Sequence, residues 1–224
     1  MPSRLSVIIP SLDEEELVKR AVRSVRDEAE VIVVDGGSED DTRRAAAAEG
    51  AIVFATEPGR GRQLDAGARQ ATGDWLVFLH ADTWLEEGWA GAVRGLGPDV
   101  VGGAFRFAID SPRRGYRLVE VGVALRCRLG RLPYGDQGLF VRREIYGMIG
   151  GFPPLPLMED VAFVRRLLGA GGLAFLPVRA FTSPRRWERR GIVATTVRNW
   201  WLLGLYAFGR PPDRLARVYD GRPP

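Results

Sequence analysis

The chain has 224 residues, of which 32 are Lys or Arg and 28 are Asp or Glu, so its formal net charge is +4. Apolar residues make up 46% of it, which suffices for the core of one domain and excludes a disordered or collagen-like chain. The chain has only one cysteine and one histidine. It therefore cannot form a disulfide framework, a cysteine metal cluster or a metal site that needs a pair of histidines. A net charge of +4 is too weak to indicate nucleic-acid binding, so we expect no nucleic-acid partner.

The first half of the chain alternates short apolar strands with helices. The pattern predicts strands at residues 5–9, 31–34, 51–55 and 75–79, and helices at about 13–26, at about 40–49 and from the turn at 59–62 to about 73. Each strand is apolar throughout, which is typical of a parallel sheet covered by helices on both faces. Residues 5–9 follow no charged segment or cleavage site, so we expect no secretory signal and a cytoplasmic location.

The second half shows a more mixed pattern. It predicts strands at residues 100–109, 138–141 and 173–178 and helices at 112–131, 158–168 and 192–208. Pro211 and Pro212 end the last helix, and a polar tail follows. The chain contains no internal repeat and no low-complexity linker, so we expect a single domain.

Charged and polar residues follow the predicted strands of the first half. Asp13, Glu14 and Glu15 come after the first strand, Asp35 after the second, and His80 and Asp82 after the fourth. Ligands of open parallel sheets bind at the carboxyl ends of the strands. Converging carboxylates repel one another unless a cation or a hydrogen-bonding ligand is present, so the sequence predicts a binding site at this edge.

Two common nucleotide-binding motifs are absent from the sequence. The segment after the first strand reads Pro10-Ser11-Leu12-Asp13-Glu14-Glu15 where a dehydrogenase has G-x-G-x-x-G, and no P-loop of the form G-x-x-x-x-G-K-S/T occurs. These absences argue against a dinucleotide-dependent dehydrogenase and a P-loop nucleotide hydrolase.

Four segments resemble motifs of family 2 glycosyltransferases with the GT-A fold, in the order and spacing of that family. They are residues 6–10 with the acids at 13–15, residues 33–42, residues 78–82 at the place of the D-x-D motif, and residues 158–160 with an E-D pair. Residues 185–187, Arg-Arg-Trp, resemble a shortened form of the R-x-x-R-W element of processive members. The resemblance spans about residues 5–190.

The resemblance implies an α/β fold, a GT-A-like, Rossmann-type three-layer sandwich with a mostly parallel central sheet. The domain would comprise a nucleotide-binding half at residues 1–98, an acceptor half at 99–190, and an aromatic helix with its tail at 191–224. The activity implied is that of an inverting hexosyltransferase. It would move a sugar from a nucleotide-diphosphate donor, by resemblance a UDP-sugar, to a hydroxyl acceptor with the help of Mn²⁺ or Mg²⁺.

His80 and Asp82 stand where the family places its metal-binding acids. The resemblance implies that Asp82 binds a divalent cation that bridges the donor diphosphate. His80 replaces the first acid of the motif, and in an extended segment the two side chains would point to the same side. An imidazole ligand favours Mn²⁺ over Mg²⁺. His80 could equally hydrogen-bond a phosphate or sugar, or be a structural residue at the strand end.

Five residues are candidate nucleotide contacts. By resemblance, Pro10 and Glu14 follow the first strand beside the nucleotide, and Asp35 contacts the nucleobase or ribose, although Gly36 replaces the usual second acid. Arg60 and Arg62, before a predicted helix, would suit a diphosphate. The alternatives are a helix-dipole role for Glu14, a turn-capping role for Asp35 and a solvated basic turn at 59–62.

Asp160 is implied to be the general base, which takes a proton from the acceptor hydroxyl as that oxygen attacks the anomeric carbon. No covalent intermediate is needed, so no nucleophilic Ser or Cys is expected. We assign Glu159 beside it and the segment 136–138, with Gln137, to the acceptor side. Arg185 and Arg186, with Trp187, are candidates for phosphate or acceptor binding. The alternatives are that Glu159 and Asp160 are acids favoured by a helix N-terminus and that Arg186 lies on a solvated surface.

The last predicted helix concentrates aromatic residues at Trp200, Trp201, Tyr206 and Phe208. Its apolar run is too short to span a bilayer core of about 30 Å. The helix could lie at the inner face of the membrane and approach a lipid-linked acceptor, or it could pack on the core or between subunits. Nothing in the sequence indicates the oligomeric state.

Two competing functions remain open at this stage. A sugar-phosphate nucleotidyltransferase has a similar fold, but it would need a Gly-rich basic loop where residues 13–16 are acidic. A non-catalytic nucleotide-sugar-binding protein stays open because His80 replaces the first acid of the D-x-D motif.

Overall fold

A single eight-stranded sheet forms the centre of the protein in a computed structural model, which describes residues 3–219. The strands are β1 Leu5–Ser11, β2 Glu30–Asp35, β3 Ile52–Ala55, β4 Trp75–Phe78, β5 Thr83–Leu85, β6 Val100–Ile109, β7 Leu139–Arg142 and β8 Gly172–Thr182. Their order across the sheet is β3-β2-β1-β4-β7-β6-β8-β5.

Ten α-helices flank this sheet within the described residues. They are α1 Glu15–Arg23, α2 Thr42–Ala48, α3 Arg60–Gln70, α4 Trp89–Arg94, α5 Gly115–Gly130, α6 Arg143–Met148, α7 Glu159–Ala170, α8 Arg185–Arg190, α9 Ile192–Ala207 and α10 Pro212–Tyr219. A 3₁₀ turn, Gly135–Gln137, precedes β7.

The sheet is mostly parallel, which confirms the predicted α/β fold class. The neighbours β3, β2, β1 and β4 are parallel, and so are β6 and β8. Strand β7 lies antiparallel between β4 and β6, and β5 is antiparallel to β8. The inserted β7 brings the second half of the chain beside the carboxyl end of β4.

The alternating side chains of β1 show why helices cover both faces of the sheet. Val7 and Ile9 point into one buried cluster, which α1 and α4 cover. Ile8 points into a second cluster, which α3 and α7 cover. Because every residue of β1 is buried, the strand shows no alternation of apolar and polar residues, and its centre, residues 7–9, is apolar throughout.

The structure differs from the sequence-based expectations in added elements and in the tail. It adds β5 and α4 between residues 82 and 98, and the helices α6 and α8, where no element was predicted. The predicted polar tail is wrong as far as Tyr219, because α10 begins at Pro212, a residue suited to the first position of a helix. Leu215 of α10 is buried, which explains why this segment folds. Residues 220–224 of the predicted tail lie outside the described residues.

Candidate active site

A cavity of about 90 Å³ lies beyond the carboxyl end of β4. It is lined by side chains from the first half of the chain, from the segment at 134–136, from the starts of α7 and α8, and from α9 and α10. Its polar lining residues are Arg60, His80, Tyr134, Asp136, Asp160, Arg186, Asn199 and Tyr219. Two guanidinium groups, two carboxyl groups, two phenols, an imidazole and an amide thus surround one space.

Asp160 is held in a fixed orientation at the start of α7. The backbone N–H of Gly135 donates to its Oδ2 at 2.9 Å, and the N–H of Val161 donates to its Oδ1 at 2.8 Å. The preceding Met158 has a φ of 66°, which turns the chain sharply into the helix. The carboxylate therefore faces the cavity from a helix N-terminus, a position that favours its charge.

His80 lies against the 3₁₀ turn, close to Asp160. A Cβ at Gly135 would stand 2.8 Å from His80 Nε2 and 3.5 Å from Asp160 Oδ2, so only glycine leaves room for both side chains. Burial lowers the pKa of His80 well below its usual value, and the nearby Arg60 and Arg186 lower it further. The imidazole is therefore neutral near neutral pH, with one donor and one acceptor nitrogen.

The extended geometry expected for residues 80–82 is wrong. The N–H of Thr83 donates to the His80 carbonyl at 3.0 Å, which closes a turn directly after β4. Strand alternation therefore does not place the His80 and Asp82 side chains on the same side. His80 lines the cavity, whereas Asp82 is not among its lining residues. A shared role as metal ligands stays a prediction.

Asp82 has the environment of a carboxylate without a partner cation. Among residues 3–219 its carboxyl group makes no salt bridge, and its Oδ1 has only the hydroxyl of Thr83 at 3.4 Å. Its charge contributes to raising the pKa of Glu14 and Asp136, although burial is the larger cause in both. The described residues contain no cluster of three or more metal-ligating side chains. One free carboxylate fits a cation whose other ligands are phosphate and water.

Asp35 caps the turn that follows β2, as one of the two alternatives predicted. The side chain is fully buried, and its Oδ2 accepts the N–H groups of Gly37 at 2.8 Å and Ser38 at 2.9 Å. The hydroxyl of Ser38 donates to Oδ1. Contact with a nucleobase stays a prediction. Pro10 is buried in β1, in register with Val34 at the same edge.

Sequence reasoning missed Gln63, which joins α3 to this edge of the sheet. Its amide donates to the carbonyls of Ser11 at 2.9 Å and Val34 at 2.8 Å. A Cβ at Gly36 would lie 3.1 Å from the Gln63 amide nitrogen, so the glutamine occupies space beside the position where the family usually has a second acid. A buried glutamine inside a helix gives no distinctive sequence signal.

Glu14 joins the loop after β1 to the start of α8. Its carboxylate pairs with Arg185 at 2.6 Å across 171 residues of sequence. Burial raises the pKa of Glu14, and Arg185 opposes that rise. The neighbouring Arg186 lines the cavity instead. The two arginines thus have different roles, which their sequence positions did not distinguish.

The two predicted phosphate-binding arginines are separated. Arg60 lines the cavity and pairs with Glu159, whose side chain is only 1% exposed. Burial raises the pKa of the Glu159 carboxyl, and the Arg60 guanidinium opposes this rise. Arg62 is exposed, pairs with Glu57 at 2.6 Å and is not part of the cavity lining. Of this pair, the structure brings only Arg60 to Asp160.

Gln137 and Trp187 support the cavity from behind. The Gln137 carbonyl oxygen accepts from the Arg126 guanidinium at 3.0 Å and the Tyr134 N–H at 3.2 Å, so the chain itself uses this amide. Trp187 is 5% exposed and packs on Phe107 with ring centroids 6.1 Å apart. Direct contact of either side chain with an acceptor stays a prediction.

The model of glycosyl transferase family 2 matches residues 6–152 of this sequence. The chain belongs to glycosyltransferase family 2. The membership predicted from the four motifs is confirmed, and with it the prediction that the protein is a glycosyltransferase. No protein with a curated description matches the sequence.

Solved structures with the same fold include glucosyl-3-phosphoglycerate synthase from Mycobacterium tuberculosis. Its complex with Mn²⁺, UDP and phosphoglyceric acid has a TM-score of 0.65 and 22% identity, over 93% of this chain and 80% of that one. Its complex with Mn²⁺ and UDP-glucose has a TM-score of 0.59 and 21% identity, over 79% and 70%. The mannosyltransferase PcManGT from Pyrobaculum calidifontis, with GDP-Man and Mn²⁺, has a TM-score of 0.59 and 22% identity, over 81% and 57%.

In this glycosyltransferase, two further cavity residues come from the 3₁₀ turn and from the residue before it. Sequence reasoning missed Tyr134, whereas Asp136 belongs to the segment 136–138 that was assigned to the acceptor side. Tyr134 and Asp136 line the cavity beside Asp160. Burial raises the pKa of Tyr134 to about 12 and also raises the pKa of Asp136. Within the segment 136–138 the prediction singled out Gln137, but Asp136 is the residue that lines the cavity, because the sequence does not show which of the two side chains faces it.

Proposed function

We propose that this glycosyltransferase moves a sugar from a UDP-sugar to a hydroxyl acceptor, with inversion at the anomeric carbon and with Asp160 as the general base. The observation that carries the proposal is the fixed Asp160 carboxylate in a cavity that also holds Arg60 and Arg186. Transfer from a nucleotide diphosphate requires a base for the acceptor hydroxyl and positive charge for the leaving diphosphate. One carboxylate and two guanidinium groups in the same cavity can supply both.

In the proposed reaction, the acceptor hydroxyl loses its proton to a carboxylate oxygen of Asp160 while its oxygen attacks the anomeric carbon. The bond between that carbon and the diphosphate oxygen breaks, and the diphosphate leaves with the electron pair. Arg60 and Arg186 stabilise the negative charge that develops on the leaving group. The neutral His80 can accept or donate a hydrogen bond to the reacting groups.

The donor would lie along the carboxyl ends of β1 and β2, where Pro10, Glu14 and Asp35 are located. Solved structures of the same fold hold UDP-glucose or GDP-Man together with Mn²⁺, and another holds UDP with Mg²⁺. Asp82 would hold the divalent cation in this chain. Such a cation neutralises part of the diphosphate charge when bound.

The acceptor would enter from the side of the second half of the chain, between the 3₁₀ turn and α9. Asn199 and Leu202 of α9 also line the cavity. Arg186 would contact the departing diphosphate from this side, and Gln137 and Trp187 would keep the wall behind the acceptor in place. We propose a lipid-linked hydroxyl acceptor and a cytoplasmic protein acting at the inner face of the membrane.

Replacing Asp160 by Asn tests the assigned base. Transfer from UDP-sugars should fall by about 10²–10⁴-fold in kcat, because a general base contributes about that much. Affinity for UDP should stay within about twofold, since Asp160 acts on the acceptor. Asp27→Asn, at a remote acid that is 89% exposed, is the matched control.

Three outcomes would contradict the proposal. Undiminished transfer by Asp160→Asn would remove Asp160 from the base role. A product that keeps the donor's anomeric configuration, measured by NMR, would refute inversion. Release of pyrophosphate from a nucleoside triphosphate and a sugar phosphate would instead indicate a nucleotidyltransferase.

A further inference from the structure

Helix α5 carries apolar side chains on two opposite faces. One face packs on the core, where Tyr116 is 1% and Cys127 6% exposed. On the other, large apolar side chains follow one another at helical spacing and reach into solvent. These are Leu118 at 77%, Val121 at 65%, Leu125 at 54% and Leu129 at 77% exposure. A helix that is apolar on both sides needs a partner for its second face.

Helix α9 extends this apolar surface. Val193, Val197 and Trp200 are 76%, 61% and 54% exposed, and their spacing places them on one side of the helix. A groove between the two helices is lined by Leu118 and Gly122 of α5 and by Trp200 of α9. We call the exposed side of α5 and α9, with this groove, the α5–α9 face.

The α5–α9 face is bordered by positive charge. Residues 111–133 contain six arginines and one acid, Glu120, which is paired with Arg117. The side chains of Arg113, Arg114, Arg128 and Arg131 are exposed and form no salt bridge within residues 3–219. Exposed apolar side chains beside unpaired arginines are the combination that binds an anionic lipid surface.

We propose that the α5–α9 face docks on a membrane surface that contains anionic lipids. The apolar side chains of α5 and α9 enter the headgroup region, and the four arginines contact lipid phosphates. The proposed contact is peripheral, and no described helix is both long and apolar enough to cross a bilayer. A second copy of the chain is a poorer occupant, because a symmetric dimer would bring the same arginines together without acids to pair them.

The groove connects this face to the candidate active site. Tyr134, Asp136 and Asn199 line both the groove and the cavity. Docking therefore places the opening of the cavity near the lipid headgroups. Resting on the proposed function, this placement suits an acceptor with a polar hydroxyl-bearing head and an apolar tail.

Vesicle flotation tests the docking with the protein in the absence of nucleotide. The wild type should float with vesicles of phosphatidylglycerol and phosphatidylcholine and should bind pure phosphatidylcholine far more weakly. Leu118→Asp should weaken binding at least about tenfold, because it puts a charge where an apolar side chain inserts. Met148→Asp is the matched control, since Met148 is 80% exposed but lies on α6. Arg128→Gln with Arg131→Gln should weaken binding by about 25-fold, about fivefold for each charge.

Each alternative result has a defined meaning. Absence of wild-type binding to the anionic vesicles overturns the proposal, as does equal binding by wild type and Leu118→Asp. A dimer seen by sedimentation that Leu118→Asp dissociates, without vesicle binding, would assign the face to a second copy. Titration of UDP without vesicles separates the two proposals, because Leu118→Asp should leave UDP binding unchanged. Vesicle binding without UDP binding would contradict the proposed function and leave the docking surface intact.

Discussion

Replacing Trp187 tests whether this side chain of α8 stabilises the protein by packing on the core. The side chain is 5% exposed and contacts the rings of Phe107 and Tyr116, at centroid distances of 6.1 and 6.3 Å. A buried tryptophan removes about 150–250 Å² from water, which at about 25 cal/mol per Å² gives an upper limit of about 4–6 kcal/mol. Measured Trp→Ala losses in cores are about 3–5 kcal/mol, so we expect a loss in that range.

Thermal unfolding followed by circular dichroism measures the effect. In a chain of this size about 1 kcal/mol shifts Tm by about 2–4 °C, so Trp187→Ala should lower Tm by about 6–20 °C. Trp201→Ala is the matched control, because Trp201 lies on the adjacent helix and is 52% exposed. Its Tm should change by no more than about 2 °C, as expected for a surface substitution. Equal shifts in the two variants would refute the packing role of Trp187.

Two further predictions concern the 3₁₀ turn. Burial raises the pKa of Asp136 above its usual 3.8. Ionisation of Asp136 therefore lowers the free energy of unfolding, and this loss begins above pH 3.8 and grows towards neutral pH. The Tm of Asp136→Asn relative to the wild type should therefore be higher at neutral pH than below pH 3.8; a pH-independent difference would contradict this. Gly135→Ala should cost about 1–3 kcal/mol and lower transfer, because its Cβ would stand 2.8 Å from His80 Nε2. Gly91→Ala, in the open on α4, should instead be neutral or stabilise by up to about 1 kcal/mol, and equal losses in both would refute the steric argument.

The parallel half of the fold could be predicted from the sequence because its signals are local. Each of β1 to β4 is a short apolar run, and the helices between them carry their own periodicity. The same locality identified Asp35 and His80 at strand ends, because parallel strands end at a common edge. Asp160 and Glu159 were found by the family resemblance, at the start of α7.

The other parts of the fold and of the candidate site depend on contacts between distant segments of the chain. Asp136 reaches the cavity only because β7 inserts between β4 and β6, and no local pattern shows this order. Helix α10 looks polar in sequence, and it is held by contacts with distant residues: Leu215 is buried, and the Arg198 guanidinium of α9 lies 4.4 Å from the centre of the Tyr219 ring. The side chains of Arg185 and Arg186 point in different directions, because adjacent residues of a helix are about 100° apart around its axis. Which of the two faces the cavity depends on the residue at which α8 begins.

Isothermal titration of UDP, with GDP in parallel, tests the central claim that this chain binds a nucleotide-diphosphate donor through a metal at Asp82. Each nucleotide is titrated with Mn²⁺ and with EDTA, into the wild type and into Asp82→Asn. We expect UDP to bind the wild type with Mn²⁺, and we expect EDTA or Asp82→Asn to weaken this binding by at least about tenfold. UDP binding that EDTA and Asp82→Asn leave unchanged, or no nucleotide binding under any condition, would contradict it.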